Sequence, residues 1–407
     1  MKIIYITALA PLGPHEPFVV PEIVEWLRQG HELLVIPRQV PDLAMRREAE
    51  TLRNSGLPAP LFNGKIAVGA LQQWLRYPWG SLKVLGLIAN PRGLASLARN
   101  LVVFPKGLWI GRLARQWGAD HIHAHWASTM ATMAMIAGET SGIPWSFTAH
   151  RGDIAANNLL STKVSRAAFV RYISESGRRM AESLGVRHPP GKSVIIHMGV
   201  ETPDRATAAP AERQVPVIVC PAYLNPVKGH CYLLRAIAIL KQRGVACRLD
   251  IVGEGELMDL LCAEADELAL GKTVRFLGHQ MHEDILSWYR EGVVDIVVLP
   301  SLDMGNNLHE GIPVSLMEAM AHGIPVVSTT TGGIPELLHD GAGELVPPQD
   351  ALALADALER LLSDPARRRQ LGEAGWKRVE EEFALPAVIR RLSDRIRKAG
   401  EAAAPQT

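Results

Sequence analysis

The stretch "HEGIPVSLMEAMAHGIPVV", residues 309–327, decides how this chain folds. It follows a short, valine-rich apolar run, "VVDIVVLPS" (293–301), which is typical of a strand buried on both faces of a parallel sheet. Proline is tolerated in the first turn of a helix, so Pro313 marks a helix start, and Gly323 marks its end. A second apolar run then begins, and the pattern predicts a strand–helix–strand unit.

Two glutamates lie eight residues apart in this unit, Glu310 in the loop and Glu318 inside the helix. In doubly wound sheets, ligands bind where such loops leave the carboxyl ends of the strands. The backbone amides of Val314 and Ser315 at the helix start favour a phosphate, whereas carboxylates repel phosphate and suit sugar hydroxyls. The stretch therefore predicts a ligand that is part phosphate and part sugar.

Composition describes an ordinary globular chain of 407 residues, with 47% hydrophobic and 21% charged residues. This length favours two domains, and a net charge of +1 argues against bulk attraction to nucleic acid. Four cysteines in apolar segments without CxxC spacing indicate reduced thiols of a cytoplasmic protein. The start "MKIIYITALAPLG" fits a first core strand better than a signal peptide, and no apolar stretch is long enough to cross a membrane.

Strand and helix patterns alternate along the chain in two series, which predicts an α/β fold with two domains. The first series begins at "KIIYITALA" and the second at "VPVIVCPAY", on either side of a polar linker near 201–214. We expect an N-terminal domain over 1–203 and a C-terminal domain over 204–385. A C-terminal helix over 386–407 is expected to pack back on the N-terminal domain.

Residues 51–119 contain nine basic residues and no acidic residue, together with Trp74, Trp79, Trp109 and Trp117. Cations attract anionic head groups and indole rings favour the boundary between lipid and water, so one hypothesis is peripheral membrane attachment through this region. The alternative is a solvated basic face on a helical insertion, with the tryptophans in the core. The sequence favours neither.

Several other motifs carry less information. "HIHAHW" (121–126) puts three histidines on one face of a strand, but nearby residues do not complete a metal shell, so polar packing is the simpler interpretation. "VGEGE" (252–256) lacks the third glycine of a dinucleotide fingerprint and predicts only a strand-to-helix turn. Neither GxxxxGK[ST] nor GxSxG occurs, which argues against a P-loop and against a serine hydrolase.

The stretch "HEGIPVSLMEAMAHGIPVVSTTTGGIPELL" resembles the Glu-x7-Glu signature of family 4 glycosyltransferases. The resemblance extends through "NPVKGH", "IVGEGEL", "VRFLGH", "GIPWSFTAHRGDI" and "YISES", and it covers nearly the whole chain apart from 51–119. It is nearest to the branch that builds bacterial exopolysaccharides and other surface glycans. It implies the GT-B fold, in which two Rossmann-like, doubly wound parallel-sheet domains face each other across a cleft.

The resemblance also implies roles for individual residues. As catalytic residues, Glu310 is expected to contact the hydroxyls of the donor sugar and His150 to steady the developing charge at the transferring sugar. Glu318 is expected to bind the ribose hydroxyls and Lys228 the pyrophosphate of the donor. Further donor contacts are expected from Gly13 and from the backbone of Gly311, Ile312, Val314 and Ser315. Acceptor contacts are expected from Arg151, Asp153 and Glu16.

One position departs from the family pattern. Where the family commonly has Gly-Arg five residues before the lysine, this chain has Ala222-Tyr223, and a tyrosine cannot supply the charged fork of a guanidinium. Either another cation, for example Arg275 or Arg151, replaces it, or donor binding is weakened. A second hypothesis is therefore a glycosyltransferase-like protein that binds nucleotide or glycan with weak or no turnover, and a third is a phosphorylase on a similar fold.

The reaction that the resemblance implies is transfer of a sugar from a UDP- or GDP-linked donor with retention of configuration, without a metal or other cofactor. The expected partners are the nucleotide-sugar and a glycan or lipid-linked acceptor, and no nucleic acid. The expected location is the cytoplasm, with attachment to the inner face of the cell membrane if 51–119 binds anionic lipid. The base, sugar, acceptor and linkage are not legible in the sequence.

Overall fold

The computed structural model of the chain describes residues 1–9, 18–40, 56–57, 59–89, 93–203, 213–305 and 308–403. These residues form two compact units. Unit 1 comprises Met1–Gly199 and Leu385–Thr407, and unit 2 comprises Val200–Ala384. The chain thus leaves unit 1 once and returns to it for its last helix.

Unit 1 is built on a six-stranded parallel sheet with the order β2-β1-β3-β4-β5-β6. Its strands are β1 (Lys2–Thr7), β2 (Glu32–Pro37), β3 (His121–Ala124), β4 (Trp145–Ala149), β5 (Phe169–Tyr172) and β6 (Ser193–Ile195). The interior strands β3, β4 and β5 are buried along their whole length. Burial on both faces is expected of a parallel sheet covered by helices, and here it includes polar side chains such as those of His121, Ser146 and Arg171.

Nine helices surround this sheet within the described residues. They are α1 (Val19–Arg28), α2 (Gly64–Arg76), α3 (Pro78–Ile88), α4 (Leu94–Trp117), α5 (Thr129–Ser141), α6 (Arg151–Ala156), α7 (Leu160–Arg166), α8 (Glu175–Ser183) and α16 (Leu385–Ala403). The last helix packs on α1, where Val388 and Leu392 join Ile3 and Trp26 in one buried cluster. The basic segment 51–119 contributes α2, α3 and α4 to the helical layer of this unit.

Unit 2 is also built on a six-stranded parallel sheet, with the order β12-β11-β10-β7-β8-β9. Its strands are β7 (Val217–Pro221), β8 (Arg248–Val252), β9 (Val274–Phe276), β10 (Ile296–Leu299), β11 (Val326–Thr329) and β12 (Glu344–Val346). Its helices are α9 (His230–Gln242), α10 (Met258–Glu267), α11 (His282–Arg290), α12 (Val314–Ala321), α13 (Ile334–Leu338), α14 (Ala351–Ser363) and α15 (Pro365–Glu382). Short 3-10 turns lie at Pro226–Lys228, Gly271–Thr273 and His339–Gly341.

The prediction of an α/β fold with two doubly wound parallel sheets is confirmed. The predicted strand–helix–strand unit appears as β10, α12 and β11, and all four residues of β10 are buried. Pro313 is the N-cap of α12, so it precedes the first helical residue by one position. Gly323 follows the helix with a φ of +71°, a left-handed conformation that favours glycine.

The four cysteines are free thiols. Burial raises the pKa of Cys220 to about 12 and that of Cys247 to about 11, so neither is a reactive thiolate at neutral pH. Among the described residues, no helix combines the length and the apolar character needed to cross a membrane.

Candidate functional site

The strand order of unit 2 places the candidate donor site. Strand β7 lies between β8 on one side and β10 on the other, so the connections from β7 and from β10 leave the sheet in different directions. A crevice forms at such a switch point, outside the carboxyl ends of the two strands. The loop after β7 carries Lys228, and the loop after β10 carries Glu310.

Glycines allow these loops to approach each other closely. Gly229 has a φ of +69°, and a Cβ atom at this position would lie 2.0 Å from the carbonyl oxygen of Pro300, after β10. A Cβ atom on Gly332, after β11, would lie 2.0 Å from the carbonyl oxygen of Glu310. Because no larger residue fits at either position, the loops carrying Lys228 and Glu310 are held by backbone-to-backbone packing.

Lys228 and Glu310 form an ion pair in which the Lys228 Nζ atom lies 2.5 Å from the Glu310 Oε1 atom. Their side chains are only 19% and 17% exposed, so water screens the pair less than it would at an open surface. A lysine near a helix start opposes the helix dipole and therefore favours an anionic partner. The pair offers a cation for phosphate and a carboxylate for hydroxyl groups at one place.

Helix α12 begins shortly after Glu310 in the sequence, and its first turn contains no acidic residue. Gly311 and Ile312 lead into Pro313, and the amides of Val314 and Ser315 belong to the first turn, where backbone N–H groups have no intrahelical acceptor. The positive end of the helix dipole adds to this arrangement. The start of α12 thus has the properties of an anion-binding site.

Glu318 lies one turn into α12, and its Oε1 atom is 2.7 Å from the Nε2 atom of His282, the first residue of α11. The Glu318 side chain is 18% exposed, whereas that of His282 is 65% exposed. His282 was not predicted as a site residue, because sequence position gives no indication that the start of α11 meets the middle of α12.

The loop after β7 presents Tyr223 where the family pattern has an arginine, and this side chain is 58% exposed. Arg275 on β9 donates from Nε and Nη2 to the two carboxylate oxygens of Asp250, both at 2.7 Å. Its guanidinium group is thus already paired within the sheet. The hypothesis that Arg275 replaces the missing arginine is therefore disfavoured.

In unit 1, His150 lies between β4 and α6 and is the N-cap residue of that helix. Asp153, at the third helical position, accepts hydrogen bonds from the backbone N–H of Ala127 at 3.1 Å and of His150 at 3.4 Å. Its carboxylate therefore joins the loops after β3 and β4. The sequence predicted a contact with the acceptor for Asp153 and did not predict this structural role. Arg151 is the first residue of α6 and is half-buried.

Gly13 and Glu16 lie outside the described residues.

Three histidines are fully buried: His121 and His123 in β3, and His125 directly after it. His121 and His123 share the hydroxyl of Ser146, at 2.7 and 2.8 Å, and His123 also contacts the hydroxyl of Thr148 at 3.0 Å. Burial lowers the pKa of His121 to about 3, which keeps this ring neutral. Within the described part of the chain, no three His, Cys, Asp or Glu side chains are arranged to hold a metal ion. These contacts support the interpretation of polar packing.

His125 differs from the other two, because its ring contacts Tyr5 and His150 rather than Ser146. Trp126 lies beside it, with its ring centroid 4.4 Å from that of His150. The sequence predicted His150 but not its connection to His125. The alternating histidines were the visible signal, yet their spacing does not reveal which of them reaches His150.

Comparisons with known proteins bear on both units. Residues 205–378 match the model of the family described as glycosyl transferases group 1. The chain is 37% identical to the amylovoran biosynthesis glycosyltransferase AmsK of Erwinia amylovora over 51% of each chain, so this alignment spans about half of AmsK. It is 28% identical to WcaL of Escherichia coli, named as a colanic acid biosynthesis glycosyltransferase, over 97% of this chain and 98% of WcaL.

The fold also matches a solved structure. The crystal structure of Anabaena HepE in complex with UDP superimposes with a TM-score of 0.70, covering 98% of this chain and all of HepE at 16% identity. At that identity the likeness concerns the fold alone.

Proposed function

We propose that the chain is a group 1 glycosyl transferase and that it moves a sugar from a UDP- or GDP-linked donor to a glycan or lipid-linked acceptor. The names of AmsK and WcaL support a role in the biosynthesis of a bacterial surface polysaccharide. The observation that carries the donor proposal is the Lys228–Glu310 pair in the loops on either side of the switch point, followed directly by the start of α12.

The proposed reaction exchanges one bond at the anomeric carbon for another. The bond from that carbon to the phosphate oxygen breaks, and a new bond forms to a hydroxyl oxygen of the acceptor. The acceptor proton passes to the departing phosphate, and a nucleoside diphosphate is released. We propose that attack occurs on the face that the phosphate leaves, which retains the configuration, and that no metal ion takes part.

Each proposed role follows from the chemistry of the group. Lys228 and the first amides of α12 compensate the negative charge that grows on the departing phosphate. Glu310 accepts hydrogen bonds from the donor sugar, and Glu318 accepts them from the ribose. For unit 1 we propose that His150 provides a hydrogen-bonding group for the transferring sugar. Lys228 contacts the carboxylate of Glu310 and His282 contacts that of Glu318, so a bound donor replaces these contacts with its own.

We expect one of UDP, GDP and ADP to raise the melting temperature of the protein, and Glu318→Ala to reduce that increase. A ligand at 100 times its dissociation constant that binds only the folded state adds about 2.7 kcal/mol to the free energy of unfolding. The measurement is a thermal-shift titration of wild type and variant with the three nucleotides.

Glu283→Ala is the matched control for this titration. Glu283 is a glutamate of α11 whose side chain is 75% exposed and pairs with Arg290. It should leave the nucleotide response unchanged. If none of the nucleotides stabilised the wild type, the donor proposal would fail and weak donor binding, expected from Tyr223, would become the leading hypothesis.

We also propose that unit 1 binds an anionic membrane surface through α2, α3 and α4. Each of these helices carries two or more exposed apolar side chains, which is unusual for a surface in contact with water alone. They are Val68, Leu71, Leu75, Trp79, Leu82, Leu94, Leu101 and Val102. Lys65, Arg76, Lys83 and Arg99 are exposed on the same helices, where they suit anionic head groups.

Only some of the residues on which the membrane hypothesis was based are exposed in the structure. Trp79 is 82% exposed, whereas Trp74, Trp109 and Trp117 pack against the core, as the alternative predicted. Lys106 is fully buried and donates to the carbonyl oxygens of three residues: Pro37, Arg38 and Ala59. The membrane proposal therefore depends on Trp79 and the exposed aliphatic residues rather than on all four tryptophans and all nine cations.

The membrane proposal predicts that the protein sediments with vesicles containing phosphatidylglycerol and not with pure phosphatidylcholine vesicles. Each basic residue near an anionic surface contributes about 1 kcal/mol, an attraction that salt screens. The double variant Leu75→Ser/Trp79→Ser should sediment much less than wild type. Leu260→Ser is the control, since Leu260 is 67% exposed on α10 of unit 2. Absence of sedimentation at low salt would refute the proposal.

A further inference from the structure

A chain of hydrogen bonds leads from the core of unit 1 to His150. Tyr5, Glu22, His125 and Arg171 are all fully buried, and His150 at the end of the chain is half-buried. We propose that these four residues position His150 and keep its proton on Nε2, so that this ring presents an N–H donor. The inference deepens the proposed function and rests on it, because it concerns how His150 is presented to a substrate.

Glu22 and Arg171 anchor the chain of hydrogen bonds. The Nη2 and Nη1 atoms of Arg171 donate to the Oε1 and Oε2 atoms of Glu22 at 2.8 and 3.2 Å, from β5 to α1. Arg171 Nε also donates to the carbonyl oxygen of Ile196 at 2.8 Å. Since a guanidinium group does not lose its proton in proteins, Glu22 is held as a carboxylate that only accepts hydrogen bonds.

The direction of the next two bonds follows from that carboxylate. Tyr5 donates its hydroxyl proton to Glu22 Oε2 at 3.1 Å, which leaves the Tyr5 oxygen as the acceptor for His125 Nδ1 at 2.8 Å. Glu22 Oε2 also lies 3.5 Å from the same His125 nitrogen. Both neighbours of Nδ1 therefore act as acceptors, and His125 carries its proton on Nδ1.

His125 Nε2 is then a lone-pair acceptor, and it lies 3.1 Å from His150 Nε2. Burial lowers the pKa of both rings well below the ordinary value of histidine, so each ring holds one proton at neutral pH. His150 must supply the proton of this contact, and its tautomer is Nε2–H.

The opposite polarity is disfavoured. It would turn the Tyr5 proton from the Glu22 carboxylate to a neutral ring nitrogen, although hydrogen bonds to charged acceptors are roughly twice as strong. The Nε2–H of His150 is donated to His125, so a substrate oxygen receives this proton only by replacing His125 as the acceptor. His125 thus sets the tautomer that the substrate meets.

Two substitutions at His125 separate positioning from packing. The side-chain oxygen of His125→Gln reaches the place of Nε2 and can accept from His150, whereas His125→Phe keeps the ring shape and removes the acceptor. We expect His125→Phe to lower kcat about 100-fold with little change in KM for the donor, and His125→Gln to stay within several-fold of wild type. A role in packing alone would give the reverse order, with His125→Phe the more active variant, and would overturn the proposal.

The second measurement does not depend on catalysis. Long-range nitrogen–proton NMR spectra of protein labelled with 15N-histidine report the tautomer of each ring directly. We expect Nε2–H for His150 in wild type, in His125→Gln and in Tyr5→Phe, because His125 Nδ1 can still donate to Glu22 after the tyrosine hydroxyl is removed. In His125→Phe we expect a mixture of tautomers.

An Nδ1–H tautomer of His150 in wild type, or an unchanged Nε2–H in folded His125→Phe, would overturn the positioning role. The tautomer assignment is separable from the proposed function. If the tautomers are as expected but the wild-type protein transfers sugar from no donor, the role in glycosyl transfer fails and the hydrogen-bonded chain stands as a structural feature. Tyr5→Phe supplies the tautomer test if His125→Phe does not fold, since a shift of His150 to Nδ1–H there would also refute the polarity.

Discussion

Replacing Glu310 with alanine will reduce the rate of sugar transfer by about 10²- to 10³-fold and change nucleotide affinity little. Removing a group that stabilises charge or orientation in the transition state has effects of that size. Glu310 is placed to hold the sugar because its backbone packs against Gly332 and its carboxylate faces Lys228. Without it, Lys228 stays available to the pyrophosphate, so nucleotide binding is kept.

The measurement is kcat and KM for the donor, with nucleotide dissociation constants determined beside them. Removing a group that acts only in the transition state lowers kcat and kcat/KM together. Removing a group that binds the nucleotide equally in the ground state and the transition state raises KM and leaves kcat unchanged. Glu310→Ala should follow the first pattern and Glu318→Ala the second. Equal effects of the two substitutions on both parameters would contradict the assigned roles, and Glu283→Ala controls for loss of a surface carboxylate.

Glu22→Ala is expected to destabilise unit 1 by about 3–5 kcal/mol, because it leaves the Arg171 guanidinium buried without its counter-ion. Both side chains are completely buried, so no water can replace the lost partner. The measurement is hydrogen–deuterium exchange of peptides from β1 and β5, which reports the free energy of opening of unit 1 itself.

Two further variants make this prediction specific. Glu22→Leu combined with Arg171→Met removes both charges and should recover much of the loss, because an apolar pair of similar volume avoids the cost of burying charge. Glu283→Ala breaks an exposed pair whose side chains are 49% and 75% exposed, and it should cost no more than about 1 kcal/mol. If Glu22→Ala cost as little as Glu283→Ala, Arg171 would have another way to satisfy its charge.

The fold and the resemblance to a glycosyltransferase family were predictable because their signals are local. A strand such as β10 is an apolar run, a helix start is a proline or a cap, and the Glu-x7-Glu motif lies within one strand–helix–strand unit. The α/β class and the two sheets are confirmed, and residues 205–378 match the model of the group 1 glycosyl transferases. The roles of Glu310, Glu318, Lys228 and His150 remain predictions that the experiments above address.

Contacts between distant segments were less accessible. Lys106 and Asp153 illustrate the difficulty, since a lysine in a basic segment and an aspartate after a histidine look like binding residues. The structure uses Lys106 to bind three carbonyl groups in the core and Asp153 to join two loops. Their local sequences contain nothing that distinguishes these uses from exposure to a ligand, because burial depends on which other segments cover them.

By itself, the sequence determined the order of strands and helices, the place of the Glu310–Glu318 unit at a strand end, and the charge and aromatic content of 51–119. Only the tertiary structure decided which charges meet: Lys228 with Glu310, Glu318 with His282, and Glu22 with Arg171 across 149 positions of the chain. The physical reason is the distance along the chain over which each interaction acts. Helix and strand patterns and helix caps depend on residues a few positions apart, whereas the pairing of distant side chains depends on the order of the parallel strands in a sheet.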